Sequence, residues 1–176
     1  MARAQASDFL HSMRFHVTAS DSGFLDQPPN QADGRGHAGF SMCSTPEATV
    51  EVMEYKEGTF VYTRKFPGNP TMADMTLSRG VARMDSTFWN WIQKVIEGQG
   101  EYRTDLQIKH YHRAQALNGP NITQINIENP ARIYHVKEAF PARHKVAGDM
   151  DATAGEISIM ELDIAYEHFT VEEIAA

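Results

Sequence analysis

A chain of 176 residues, 41% apolar and 22% charged, can fill the core of one ordinary globular domain. Its formal net charge of −7 speaks against a sequence-blind nucleic-acid binder, whose affinity would come from clustered Lys and Arg neutralising phosphates, and no local basic patch stands out. A single cysteine, Cys43, excludes an intramolecular disulfide framework, and no apolar run reaches the length of a signal-peptide core or a membrane span, so synthesis and assembly in the cytoplasm are expected.

In chain order, the first strand is predicted over residues 13–19, where Phe15 and Val17 alternate with Arg14, His16 and Thr18. Residues 21–38 carry Pro28-Pro29, Gly23, Gly34 and Gly36 with little apolar content and read as a long loop insertion. Extended structure resumes at 40–44, placing Cys43 in a strand as a small core residue rather than a nucleophile. Residues 49–55 and 59–66, separated by Lys56-Glu57-Gly58, read as a hairpin. Pro67-Gly68-Asn69-Pro70 is expected to break the chain before a strand at 75–79.

The most strongly patterned stretch follows. Asp85 is the expected N-cap and Gly98 the left-handed stop of a helix whose Phe88, Trp91, Ile92 and Val95 fall at i, i+3, i+4 and i+7, on one core-facing stripe. Trp89 and Ile96 widen the apolar arc on one flank, which leaves two readings: a larger core, or a second partner surface. A long strand is predicted at 102–113, with Leu106, Ile108, His110 and His112 on one face. An extended hairpin arm is predicted at 116–129, and a strand at 131–140 that Pro141 ends. The last strand, 156–170, changes phase between Ile157, Ile159 and Met160, Leu162, Ile164, which predicts a β-bulge near 159–160. About eight strands and one helix point to a mainly β protein, an antiparallel β-barrel or sandwich with one flanking α-helix, in a single domain over 1–176.

No constellation supports catalysis. His110-x-His112 on a strand could share an ion, with His135 or His144 completing a set, but HExxH, paired cysteines and an acidic residue at fixed spacing are all missing, so no metal site is expected. Asp149, Asp151 and Glu156 lack the Ca²⁺-loop pattern and read as a solvated turn. Gly34-x-Gly36 precedes no helix that would offer a phosphate its N-terminus. Ser41, Ser44 and Ser86 show no triad-like context. What remains is a set of strands suited to self-assembly through sheet edges.

Six segments in order carry a family likeness: VEVMEYKEG (50–58), YTRKFPG (62–68), MTLSRGV (75–81), FWNWIQKVIEG (88–98), AFPARH (139–144) and ATAGEISIMELDIAYEHF (152–169). Together they resemble the tail tube proteins of T4-like contractile phages and the inner-tube proteins of extracellular contractile injection systems. The resemblance implies a structural, non-enzymatic subunit without cofactor, assembled into hexameric rings stacked as a hollow tube. The partners it implies are further copies of the chain, a sheath protein, baseplate or hub and cap proteins, and luminal cargo or a tape measure, with no sequence-specific nucleic-acid binding. The tube would belong to a phage tail or an injection particle. It further implies that the turn Glu54, Tyr55, Lys56, Glu57, Gly58 and Thr59 reaches the next ring, and that Arg79 and Gly80 end a strand near a subunit boundary. The Trp89 and Ile96 flank would pack on the adjacent subunit. Two alternatives stand beside this: a type VI secretion Hcp-like ring protein carrying effectors, and a small β-barrel metal-dependent enzyme using His110 and His112.

Overall fold

The computed structural model describes residues 10, 12–20, 24–25, 39–82, 85–98, 100–111, 130–150, 153 and 155–174. They form β1 (Phe15–Ala19), β2 (Phe40–Cys43), β3 (Glu47–Tyr55), β4 (Arg64–Ala73), β5 (Met75–Gly80), α1 (Thr87–Glu97), β6 (Thr104–His110), β7 (Arg132–Lys145), β8 (Ile159–Ala165) and β9 (His168–Glu173). The expected arm at 116–129 and all of the 21–38 insertion except Phe24 and Leu25 lie outside the described residues.

All strand pairs are antiparallel. Strand β7 and the run β8–β9 make one long hairpin, in which Arg132 opposes Glu173, Lys137 opposes His168, Phe140 opposes Ala165 and Lys145 opposes Glu161. On one side of this hairpin β6 and then β1 extend the sheet, and on the other β5 and then β2. The long strands bend in the middle, so the two halves of the sheet face each other across a core, as the barrel or sandwich reading required. Glu138 marks the bend with φ 54°, a left-handed conformation that costs a non-glycine residue about 1 kcal/mol or more. Asp105 holds it there, accepting the Glu138 N–H at 3.2 Å and the Lys137 ammonium at 2.6 Å.

Side-chain alternation decides what enters the core. Val17, Leu106, Ile108 and Val136 come from one half, and Met75, Leu77, Met160, Leu162 and Ile164 from the other. Helix α1 closes the side with Phe88 and Trp91, whose indole N–H donates to the Tyr102 carbonyl at 2.8 Å. Gly98 adopts φ 63° and stops the helix as expected.

Several expectations are corrected. Strand β4 runs through Pro67-Gly68-Asn69-Pro70, because β4 belongs to a two-stranded ribbon whose outer edge tolerates a missing donor. Strand β7 likewise continues through Pro141, which opposes Ile164, with a register shift absorbed by Ala142. No bulge interrupts 159–160: Gly80 opposes Ile159 and Arg79 opposes Met160 in even register, and Ile157 precedes the strand, exposed. The helix N-cap is Ser86, without a side-chain cap bond. Asp85 stands one residue earlier, accepting the Thr87 N–H at 3.3 Å, and its principal partner is Arg79. Phe24 and Leu25, in the stretch read as loop, are buried in the core, with Phe24 5.2 Å from the Trp91 ring.

Candidate assembly surface

The residues singled out from sequence fall in three places: the tip of the β3–β4 ribbon, the joint between β5 and α1, and the outer face of α1. The ribbon pairs with no other strand among the described residues, and all nine residues of β3 are exposed. Its root is pinned by Tyr166, whose hydroxyl accepts the Glu47 N–H at 3.0 Å and donates to the Glu47 carbonyl at 3.2 Å. Thr49 and Thr71 share a hydroxyl contact of 3.0 Å across the strands.

Glu54 and Tyr55 end β3, and Lys56, Glu57, Gly58 and Thr59 begin the tip, which is longer than the predicted three-residue turn. Phe60 N–H donates to the Glu57 carbonyl at 3.1 Å. Glu57 pairs with Arg64 at 3.4 Å and Glu54 with Lys65 at 3.5 Å, while the Arg64 guanidinium lies over the Phe60 ring. These are exposed pairs, each worth only a few tenths of a kcal/mol, so they set the tip's shape more than its stability. Val50, Val52, Met53, Tyr55, Phe60, Val61, Tyr62 and Phe66 all stand in solvent on this one ribbon. So many apolar side chains are more than a two-stranded ribbon can bury by itself.

At the joint, Arg79 ends the core-facing row of β5 and is 1% exposed. Its guanidinium donates to Asp85 Oδ1 at 2.7 Å and to the Thr87 hydroxyl, and it lies 4.0 Å over the Phe88 ring and 5.7 Å from Phe40. Arg79 therefore ties the end of β5 to the first turn of α1 from inside the subunit, a role its sequence position alone did not reveal. Gly80 follows, facing Ile157 at ordinary contact distance. On the outer helix face Trp89 is 49% and Ile96 72% exposed, seven residues apart and so on one stripe, with Phe88 and Trp91 inside.

The chemistry-bearing residues are dispersed. His135 bonds Glu172 Oε2 at 2.9 Å, and His144 Nδ1 bonds the Glu161 carbonyl at 3.0 Å. Among the described residues no group of three or more His, Cys, Asp and Glu side chains is placed to hold a metal ion. His110 ends β6, and His112 lies outside the described residues. Ser41 donates to the Ser78 carbonyl at 3.1 Å, Ser44 Oγ accepts the Thr76 N–H at 2.6 Å, and Ser86 Oγ accepts from Asn90 at 3.3 Å, all structural bonds between or within elements. Burial pushes the Cys43 thiol up to about 12, the behaviour of an inert packed cysteine. A groove of about 410 Å³ at Gly100, Glu101, Tyr102, Arg103 and Glu138 is open, and Arg103 within it is paired with Glu138 and Glu167. Among the described residues no helix is long and apolar enough to cross a membrane.

Comparison with solved structures gives the same fold. The chain superposes on a chain of the PVC sheath/tube terminator of an extracellular contractile injection system with TM-score 0.71, 20% identity, and 96% and 99% of the two chains covered. It superposes on a chain of the PVC sheath-tube complex in the extended state with TM-score 0.70, 20% identity and 96% and 95% coverage. For the cap of the anti-feeding prophage, described as the AFP tube terminating cap, the values are TM-score 0.70, 22% identity and 98% and 97% coverage. No curated protein sequence matched the chain. The family model described as T4-like virus tail tube protein gp19 matches residues 11–170, which take in every strand and the helix except the end of β9. On that match the chain belongs to the T4-like virus tail tube protein family.

Proposed function

We propose that this chain is the inner-tube subunit of a contractile tail or extracellular injection particle, forming hexameric rings that stack into a hollow tube. The observation that carries the reading is the β3–β4 ribbon: it exposes apolar side chains from Val50 to Phe66, while only Met72 at its root packs against the core of the subunit. A surface of that kind finds its burial in permanent association. The tip from Glu54 to Thr59 then reaches a neighbouring ring, and Trp89 and Ile96 face the adjacent subunit. The role is mechanical and draws on no catalytic group or cofactor. The structures it superposes on come from a sheath-tube complex, a sheath/tube terminator and a tube terminating cap, and a similar fold occurs in an anti-feeding prophage baseplate, which supports a sheath, a cap and a baseplate as partners; the lumen of the proposed tube is left for cargo.

Electron microscopy of the purified protein tests this directly, with sixfold rings or tubes as the expected result. Replacing Tyr55-Lys56-Glu57 by Gly-Ser-Gly is expected to abolish tubes and leave the circular dichroism spectrum of the subunit unchanged. A wild-type protein that stays monomeric across concentration and salt, or a variant that builds normal tubes, overturns the assignment.

A further inference from the structure

The bend of β7 lies on a crease that crosses β6, β7 and the junction of β8 with β9. Ala139 opposes Thr104 and Val136 opposes Leu106, so Lys137 and Glu138 face Asp105 alone, a bulge in β7. On the other side of β7 the partner changes at the same level: Lys137 opposes His168 of β9, Phe140 opposes Ala165 of β8, and Tyr166 and Glu167 join the two strands. The Glu167 N–H donates to the Lys137 carbonyl at 3.2 Å and ties the two sides of the crease. The φ of 54° at Glu138 is the left-handed backbone that a bulge ordinarily gives to glycine. Glycine would relieve the strain, but it would also remove a carboxylate that the crease uses. The Arg103 guanidinium, just before β6, bonds Glu167, stands 3.9 Å from Glu138 and lies over the Phe140 ring. One cation thereby joins the bulge of β7 to the β8–β9 junction.

We infer that this crease is a hinge, latched by Arg103 across Glu138 and Glu167, and that the latch sets how firmly Tyr166 holds the β3–β4 ribbon. The coupling belongs to the single subunit and holds whatever the subunit assembles into. Glu167 is gripped at its side chain by Arg103 and at its N–H by Lys137, which fixes the peptide joining it to Tyr166. The Tyr166 hydroxyl in turn holds both backbone groups of Glu47, the first residue of the ribbon. None of these Arg103 partners belongs to the ribbon, so the ribbon root is governed from across the sheet. Without Arg103 the side-chain grip on Glu167 is lost, and the Tyr166 ring follows the junction more freely. The strain at Glu138 then has a reason: its carboxylate occupies a glycine position because it completes the latch. Exposed ion pairs are individually weak, so releasing the latch loosens the ribbon root without unfolding the subunit.

Residue-resolved hydrogen exchange on the dissociated subunit tests the coupling, because the Glu47 amide reports the grip of Tyr166 directly. Arg103→Met removes the charge and keeps most of the stem. It is expected to speed exchange at the Glu167 and Glu47 amides about threefold or more, leaving the remote Val81 and Tyr111 amides within about 1.5-fold. Salt at about 1 M, which screens charges beyond about 3 Å, is expected to speed the same two amides in the wild type and to add nothing in Arg103→Met. An arginine that only filled space would not respond to salt in this way. Glu138→Gly is expected to melt higher than Glu138→Ala, since both lose the carboxylate and glycine alone sheds the strain. Faster exchange at Glu167 with Glu47 unchanged breaks the link from latch to ribbon, and no change at either overturns the latch. Equal melting of the two Glu138 variants removes the strained bend from the hinge. If Arg103→Met fails to fold, the wild-type salt series decides alone: Glu167 and Glu47 amides that ignore salt overturn the proposal.

Discussion

Removing Asp85 exposes what the joint between β5 and α1 contributes. Its side chain is 3% exposed and that of Arg79 1%, so the pair is shielded from water on both sides. Asp85→Ala removes the carboxylate partner of the Arg79 guanidinium, which stays buried against Phe88 and Phe40, and takes an acceptor from Thr87. Breaking a buried pair from one side costs about 3–5 kcal/mol, which for a chain of this size lowers the melting temperature by roughly 6–20 °C. The double substitution Arg79→Met with Asp85→Leu removes both charges and fills the space with carbon, so it is expected to recover most of that loss and to give a coupling of about 2 kcal/mol or more in a double-mutant cycle. Urea unfolding of the dissociated subunit, followed by tryptophan fluorescence and far-ultraviolet circular dichroism together, supplies all four free energies. If Asp85→Ala lies within about 1 kcal/mol of wild type, the pair is not an electrostatic unit and the argument fails.

Tyr166→Phe deletes the hydroxyl that holds both backbone groups of Glu47, and is expected to cost about 1–2 kcal/mol and to speed exchange at the Glu47 amide; an unchanged amide would show that the ribbon root is held otherwise. Trp89→Ala, at a half-exposed site, is expected to change subunit stability by less than about 1 kcal/mol while weakening assembly, which sedimentation beside urea unfolding separates. The hydrogen bond from Lys137, with that of the Glu138 amide, holds the Asp105 carboxyl below its ordinary value; at Asp163 burial pushes upward, but bonds from Arg143 and Thr76 and the Arg143 charge outweigh it. A depressed folded value stabilises above the ordinary carboxylate range and is lost as pH falls through it, so unfolding free energy is expected to drop below about pH 4, less steeply in Lys137→Met with Arg143→Met. Cys43, its thiol pushed up to about 12 by burial, is expected to alkylate at pH 8 at least about a hundredfold more slowly folded than unfolded.

Strand positions were legible wherever alternation was undisturbed, as at Val17, at Leu106 and Ile108, and at Met160, Leu162 and Ile164, because burial of one face leaves a period of two in the residues themselves. The helix was legible from the Phe88 and Trp91 stripe and the glycine stop. The failures share a cause: a local signal met a tertiary setting that overrode it. Pro67, Pro70 and Pro141 are strong punctuators, yet each sits where its nitrogen faces away from its partner, a fact that only pairing reveals. Phe24 and Leu25 are two apolar residues amid turn formers, too few to show a period, and become core by lying against Trp91. From sequence, Arg79 is a strand end and Asp85 a cap, with nothing to join them. Six residues apart with a strand end and a helix start between them, they meet only once α1 folds back over β5.

The subunit thus separates into two parts with different energetics. The body gains its stability from a core that both halves of the bent sheet and α1 complete, each fully buried large side chain contributing about 1.5–3 kcal/mol. The ribbon has no such core: beyond the β3–β4 ladder its side-chain contacts are a Thr–Thr contact, exposed ion pairs and aromatic edges at the tip, and its root is held by Tyr166 and by Met72 against the core of the body. An isolated two-stranded ribbon is marginal in water, so the apolar side chains along β3 and β4 reach full burial only against another chain. Burial of the ribbon's apolar side chains, unlike that of the body's core, is then expected to depend on protein concentration. Two prolines and a register shift blunt the edge of β4 against pairing with further chains.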